Sequence, residues 1–348
     1  MSVFDPEHPY AARDDAALLT ELNELSRRHL AGCAPYKSVW PEWHAAKDLA
    51  GLPFLHAGVF KYVRFRTESP NIKHERTLKS SATTSGKSSM ISLDRESSEL
   101  QSASTLAILR DFVGSTQRPL LVLDSSKSLL ARGEVSARVA AALSLKPLAT
   151  EIHFLLDDAA DADSMRWEAL EGLLKAHDDL LVYGFTWILW FAWLKAKRPE
   201  NIAKLLKGKR IAFVHSGGWK KLEALKVERQ EFDQGLLRDL DPRSKVVDYY
   251  GLVEQVGIIY PLCEAGYRHV PRWAEVIVRD PWNLQPLSDA DGQLQLLNIL
   301  ARGAPYHSVL TEDVGRVVAG DCSCGRKGRR FLLQGRVPKS EVRGCANV

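Results

Sequence analysis

The chain has 348 residues, 45% hydrophobic and 26% charged, with 47 lysines and arginines against 43 acids for a formal net charge of +4. That length is enough for a large core and two or three structural units, and the balance is that of an ordinary globular protein. The basic runs at Lys204–Arg210 and Arg326–Arg330 form no stripe, which excludes a nucleic-acid-binding class, and no apolar run is long and uninterrupted enough to span a bilayer.

Met1–Asp15 is acidic and polar and reads as no secretory signal. Residues 14–50 carry helical periodicity through Leu18, Leu19, Leu22, Leu25, Trp40, Trp43, Ala46 and Leu49, broken at Pro35 and Pro41. Leu52–Phe65 reads as loop and strand, and the polar stretch Asn71–Lys79 leads into residues 80–89. That tract holds seven hydroxyls, one glycine, one lysine and no acid. It is either a solvated linker or a donor-rich loop whose backbone N–H groups, hydroxyls and Lys87 hold a polyphosphate. It is not a Walker A loop: Ser81 stands where the first glycine belongs, and Met90–Leu93 reads as a strand where a helix is needed.

Three helix–strand units come next: Glu96–Phe112 with Pro119–Asp124, Val135–Ala142 with Glu151–Leu156, and Ser164–Ala176 with Leu180–Tyr183. Helix Thr186–Lys195, strand Arg210–Val214, helix Lys221–Asp239 and strand Lys245–Tyr250 continue the alternation. The pattern predicts an α/β fold with helix-covered β-sheets. After Tyr250 the runs Ala274–Arg279, Leu294–Ile299, Val309–Glu312 and Arg329–Leu333 predict a β-rich final third.

Open α/β sheets bind ligands beyond the C-terminal ends of their strands. One strand ends in His215-Ser216-Gly217-Gly218, where paired glycines let the backbone approach a flat ligand. Another ends in Tyr249-Tyr250-Gly251-Leu252-Val253-Glu254, which groups aromatic rings, a turn glycine and a carboxylate. Each alone is more often an ordinary turn. The Phe185-Thr186-Trp187 turn and Trp190 either wall an apolar ligand pocket or belong to the core, the commoner case for an apolar helix.

Five cysteines without a signal point to a reducing, cytoplasmic compartment. Cys33 reads as core. Cys263, His269, Cys322 and Cys324 supply three thiols and an imidazole, a set suited to structural Zn²⁺, although Cys-x-Cys spacing is unusual and four independent reduced residues remain the alternative.

Taken in order, the hydroxyl-rich tract, the Gly-Gly loop and Tyr250-Gly251-Leu252-Val253-Glu254 resemble the motifs of the adenylate-forming superfamily. Leu310-Thr311-Glu312-Asp313 and Gly335-Arg336 extend the likeness. Tyr-Gly-Leu-Val-Glu-Gln, Thr-Glu-Asp-Val-Gly, Cys-Ser-Cys-Gly-Arg and the late Arg-Gly-Cys are similar, more narrowly, to the acyl-protein synthetases of bacterial bioluminescence fatty acid reductase complexes. Phenylacetate–CoA ligases resemble the chain more distantly and can carry zinc in the cysteine region. The likeness covers roughly residues 30–348.

The resemblance implies an adenylate-forming large domain over 1–335 and a hinge-like tail, 336–348, carrying Cys345. Larger members continue past this point into a mobile C-terminal domain that supplies a lysine, so the expectation is a short form without it. Val253 replaces the usual threonine.

The implied reaction uses ATP and Mg²⁺ to convert a carboxylic acid, expected to be fatty, into acyl-AMP, then passes the acyl group to a protein thiol. Ser81, Thr83, Thr84, Ser85, Gly86 and Lys87 would bind the phosphates. Ser216, Gly217, Gly218, Tyr250 and Gly251 would bind the nucleoside, Asp313 and Arg336 the ribose side, and Glu254 the Mg²⁺. Cys345 is the implied acceptor, its thiolate favoured by Arg343 and Lys339. An acyl reductase or acyl carrier is the implied partner. A CoA or carrier-protein ligase that leaves Cys345 incidental, and a non-catalytic nucleotide-binding subunit, are the alternatives.

Overall fold

The computed structural model describes residues 3–80, 88–129, 135–219 and 225–337. Asp14 starts the first helix, α1 (Asp15–Gly32), by accepting from the N–H groups of Ala16 and Ala17, donors that a helix start leaves unpaired. Leu18, Leu22 and Leu25 then share one buried face. The helical run breaks at Cys33, whose backbone is extended, and Pro35 sits in the first turn of the next helix, α2 (Ala34–Val39), where its missing N–H costs no bond. The helix expected as far as 50 stops there. Residues 40–48 are loop, and the backbone of Ala46 bonds instead to the Asn23 amide, donating to its Oδ1 and accepting from its Nδ2.

In chain order the next elements are β1 (Leu55–His56), a 3-10 helix at Ala57–Lys61, β2 (His74–Lys79), β3 (Met90–Asp94), α3 (Arg95–Val113), β4 (Arg118–Val122), β5 (Val135–Ser136), α4 (Ala137–Ser144), β6 (Ala149–Phe154), α5 (Trp167–Ala176) and β7 (Asp179–Phe185). Then come α6 (Thr186–Ile188), running into a π-helical segment at Leu189–Lys195, α7 (Glu200–Leu206), β8 (Arg210–Ser216), α8 (Arg229–Leu237) and β9 (Lys245–Tyr250). The remainder is β10 (Tyr260–Pro261), β11 (Arg268–His269), β12 (Ala274–Arg279), β13 (Pro286–Leu287), β14 (Gly292–Asn298), β15 (Ser308–Val318) and β16 (Arg330–Arg336). Among the described residues no helix is long and apolar enough to cross a membrane.

These elements form two compact units, Met1–Ile108 with Gly251–Val348, and Leu109–Tyr250. In the second, five strands run parallel in the order β9-β8-β7-β4-β6. Leu180–Tyr183 and Ile211–Val214 are buried without alternation, as strands covered on both faces are. Leu121, Leu170, Leu174, Ile188, Trp193 and Phe213 build the core around them. Of the helix expected over Lys221–Asp239, residues 221–224 lie outside the described residues and α8 covers Arg229–Leu237; Glu228, just before it, has a non-helical backbone.

In the first unit an antiparallel sheet runs β11-β16-β15-β14-β12-β13, and β1 adds to β15 in parallel. This is the β-rich final third that the sequence predicts. β14 is buried along its whole length and tolerates two glutamines because both bond: Gln293 Nε2 donates to Thr311 O, and Gln295 Nε2 donates to Ser308 Oγ at 2.8 Å. β2 and β3 pair as an antiparallel hairpin. The polar stretch before the hydroxyl tract is therefore itself largely a strand, polar because within it only Leu78 is buried.

Candidate functional site

The hydroxyl-rich tract connects β2 to β3. Its ends are fastened: Ser80 N–H donates to Ser89 O at 3.1 Å, and Ser89 N–H donates to Ser80 Oγ at 2.9 Å. Ser81, Thr83, Thr84, Ser85, Gly86 and Lys87 lie outside the described residues. The tract leads into a strand, β3, and not into the helix that a Walker A loop needs.

Glu254 sits in the 3-10 turn Val253–Gln255 and is only 8% exposed. Burial pushes its carboxyl above the usual range, while a hydrogen bond from the Ser89 side chain and the charge of Lys61 pull it back; Asp313 acts in the raising direction. The turn is fixed from beneath by Gln255, whose Nε2 donates to Tyr306 O and whose Oε1 accepts from Asn298 Nδ2, both at 2.8 Å. Gly257 ends it at φ +86°. A Cβ there would stand 2.5 Å from Gln101, so only glycine fits this approach to α3.

Asp313 lies on β15, where its N–H donates to Thr311 Oγ1 at 3.0 Å. The β15–β16 register places Arg336 opposite it, with Arg336 Nε 3.5 Å from Asp313 Oδ1. The arginine is largely exposed and the aspartate is not. Arg336 is the last residue of β16, and Val337 N–H donates to Glu312 O. Ser89, Glu254, Asp313 and Arg336 thus form one group in the first unit, with Lys61 in electrostatic range of Glu254. Cys345 lies outside the described residues.

The other loops belong to the second unit. Ser216 closes β8, and Gly217 and Gly218 come directly after it at φ +84° and +56°, in the left-handed region that side chains avoid. Ser216 is held by its neighbours: Thr186 Oγ1 donates to its carbonyl at 3.2 Å, and the Tyr183 and Tyr249 hydroxyls, 3.4 Å apart, both bond its side chain. Burial pushes both phenols up, so they stay protonated donors. Thr186 Oγ1 also pairs with His215 Nδ1 at 3.0 Å. Tyr250 closes β9, and Gly251 opens the return to the first unit. Trp190 is 7% exposed and packs in the core cluster, stacked on Phe232. It is a core residue.

A third cluster stands apart in sequence and together in space. One ligand atom from each of Cys263, His269, Cys322 and Cys324 lies within 4.8 Å of all the others. Cys263 Sγ and Cys322 Sγ are 3.8 Å apart, and Cys324 Sγ is 3.2 Å from His269 Nε2. Two sulfurs on one tetrahedral zinc, with bonds of about 2.3 Å, stand about 3.8 Å apart, so the donor set fits the ion. Burial, with Arg326 and Arg330 close by, pushes the His269 imidazole down to about 4, which keeps it neutral. Its Nδ1 is buried without a hydrogen bond. Burial opposes ionisation at Cys322, yet hydrogen bonds from Cys324, Arg330 and Cys263 leave its thiol below the ordinary value. Cys33 is buried and free, a core residue as its sequence context suggests.

Lys61, Ser89, Thr311 and the Gln255–Asn298–Tyr306 set are not among the site residues that the sequence motifs pick out. Ser89, Gln255 and Thr311 fall inside the motif stretches themselves but carry no assigned role there. Lys61 carries no local signal, since the pairing of β1 with β15 brings it there from far away in the chain.

A family model described as acyl-protein synthetase, LuxE, matches residues 40–348. A long-chain-fatty-acid–luciferin-component ligase of Aliivibrio fischeri is 32% identical over 123 residues, 34% of this chain and 32% of that protein. The chain thus aligns with about a third of that relative's length. Among solved structures, an open conformation of 2-hydroxyisobutyryl-CoA ligase with 2-HIB-AMP and CoA has a TM-score of 0.64 at 16% identity, covering 97% of this chain and 73% of that one. The same ligase in its postadenylation state with 2-HIB-AMP also gives 0.64, at 15% identity, over 95% and 70%. These similarities establish a shared fold, that of adenylate-forming ligases.

Proposed function

Because the chain belongs to the LuxE acyl-protein synthetase family, we propose that it activates a fatty acid with ATP and then carries the acyl group as a thioester on Cys345. The observation that carries this reading is the group in the first unit: a buried Glu254 fastened by Ser89, beside Asp313 paired to Arg336.

A carboxylate is a poor electrophile. Its attack on the α-phosphorus of ATP forms a carboxyl O–P bond and breaks the bond to the β-phosphate oxygen, releasing pyrophosphate and needing no proton transfer. Such a step depends on fixed charge and orientation. Glu254 offers a hard oxygen ligand, pre-aimed by Ser89, to the Mg²⁺ that neutralises phosphate charge. Asp313, held by Thr311, accepts the ribose hydroxyls, and Arg336 adds a positive contact. Ser81, Thr83, Thr84, Ser85, Gly86 and Lys87 bind the β- and γ-phosphates. Ser216, Gly217, Gly218, Tyr250 and Gly251 bind the nucleoside. Residues 1–335 form the adenylating part, and 336–348 carry the acceptor. The Cys345 thiolate attacks the acyl carbon, expelling AMP.

The partner is an acyl reductase that takes the acyl group from Cys345. Cys263, His269, Cys322 and Cys324 hold a structural zinc, and thiols kept for metal and acyl chemistry support a cytoplasmic location.

Intact-mass spectrometry after incubation with ATP, Mg²⁺ and tetradecanoate tests the reading. A hydroxylamine-labile adduct of one acyl group is expected on the wild-type chain and none on Cys345→Ser, while carboxylate-dependent pyrophosphate exchange persists in that variant. An adduct on Cys345→Ser, or rapid acylation of free CoA with no adduct on the protein, would replace this reading by a CoA or carrier ligase. Absence of exchange with every acid would leave a nucleotide-binding subunit.

A further inference from the structure

The adenylation step requires a cation at the phosphoryl group that changes hands, and Lys61 is built to be one. It is the last residue of the 3-10 helix Ala57–Lys61, which continues directly from β1. β1 pairs in parallel with β15, Leu55 opposite Val309 and His56 opposite Leu310. The helix that ends at Lys61 packs along β15, the strand that carries Asp313, and against β3, the strand that Ser89 introduces.

The segment is anchored. Phe60 is 1% exposed and meets the buried Phe65 edge-on, centroids 5.3 Å apart. Tyr62 and Val63 both return their N–H groups to Val59 O, at 3.0 and 2.9 Å. The neighbouring Lys61 is half-buried and makes no ion pair among the described residues. Its charge reaches the buried Glu254. Lys61, Glu254, Asp313 and Arg336 thus form a mixed-charge cluster in which the two acids have other duties, Asp313 bonded to Arg336 and Glu254 to Ser89. A lysine held in place and unpaired beside a metal-binding carboxylate is arranged to meet an anion.

We infer that Lys61 is a catalytic residue of adenylation, its ammonium contacting the α-phosphate oxygens of ATP as the carboxylate attacks. This rests on the adenylating activity proposed above. The carboxylate oxygen bonds to the α-phosphorus, the bond to the β-phosphate oxygen breaks with its electron pair leaving on pyrophosphate, and Lys61 keeps its proton throughout. The ammonium is positioned before the reaction, so it stabilises the transition state without reorganisation.

The test compares wild type, Lys61→Ala and Lys61→Arg in tetradecanoate-dependent pyrophosphate exchange, with thermal melts to confirm that each folds. A second assay supplies synthetic tetradecanoyl-AMP and monitors acylation of the protein. Lys61→Ala is expected to lower kcat for exchange about a hundredfold, with KM for ATP moving less than about fivefold, while transfer from the synthetic adenylate stays within about threefold of wild type. Lys61→Arg is expected to recover at least about tenfold of the loss. Exchange within about threefold of wild type in Lys61→Ala, or a loss confined to KM, would overturn the assignment and leave adenylation standing. An equal loss in both assays would overturn it as well, because a contact to the transferring phosphoryl group acts in the first step. Wild-type protein without exchange would remove the adenylation reading and this inference together.

Discussion

Single residues in this protein are set by what surrounds them rather than by their type. Glu254 illustrates it: a carboxylate 8% exposed is costly to ionise, and the Ser89 hydroxyl and Lys61 reduce that cost without removing it. Such a group gains from a divalent cation. Glu254→Gln keeps the shape and removes the charge, so pyrophosphate exchange should fall about a hundredfold or more, as for loss of a preorganised charge contact. Exchange rates across a Mg²⁺ titration check it, and a rate within a few-fold of wild type at all concentrations would remove Glu254 from the site. Glu254 and Asp313 are legible in the sequence through their motifs. Lys61 is not, because no local pattern distinguishes that lysine from any other that comes after an apolar residue.

Among the elements, the Cys₃His cluster shows how short strands are kept in place. β11 has only two residues, paired to β16 through Arg268–Phe331 and His269–Arg330, and the loop carrying Cys322 and Cys324 connects β15 to β16. So little backbone pairing leaves these segments dependent on a cross-link. Zinc bound by all four ligands would supply one. Protein purified without added metal should contain close to one zinc per chain by elemental analysis. Chelation or Cys322→Ser should lower the Tm by several degrees while leaving the ATP Kd within about threefold, since the ion would serve stability. The four ligand types were legible in the sequence. The sequence left four independent residues as the alternative to one shared site; the β11–β16 pairing, between segments far apart in the chain, decides for convergence.

For the molecule as a whole, two buried histidines predict a loss of stability in acid. His29 and His307 are wholly buried in the first unit, their rings 5.0 Å apart. Ser26 Oγ meets His307 Nε2 at 2.9 Å, while Thr67 Oγ1 and Ala301 O flank His29. Burial pushes His307 from 6.5 down to about 3, and burial together with His307 holds His29 well below 6.5. The unfolded chain therefore binds protons below about pH 6.5 that the folded chain refuses. Stability is complete above that pH and falls as pH drops toward about 3 for His307. The slope is about 1.4 kcal/mol per pH unit for each histidine. Urea unfolding between about pH 7.5 and about pH 4.5 should show the decline, and His307→Asn should flatten it. An unchanged slope in that variant would assign acid lability elsewhere.

Local pattern alone was enough to set the helix–strand alternation from Arg95 to Tyr250, apart from the short β5 and α7, and the β-rich final third. Strand and helix periodicity, turn glycines and short motifs are local, and local patterns survive in a one-dimensional reading. The same periodicity overextended the helices at residues 40–48 and 225–228, where Asn23 and the non-helical backbone of Glu228 decide the conformation instead. The strand character of His74–Lys79 emerged in three dimensions, because it depends on pairing with β3. So did the division into two units and the packing of the helix that ends at Lys61 against β15. Each of these requires residues distant in the chain to meet, and the pairing that brings them together has no counterpart in the spacing of either partner.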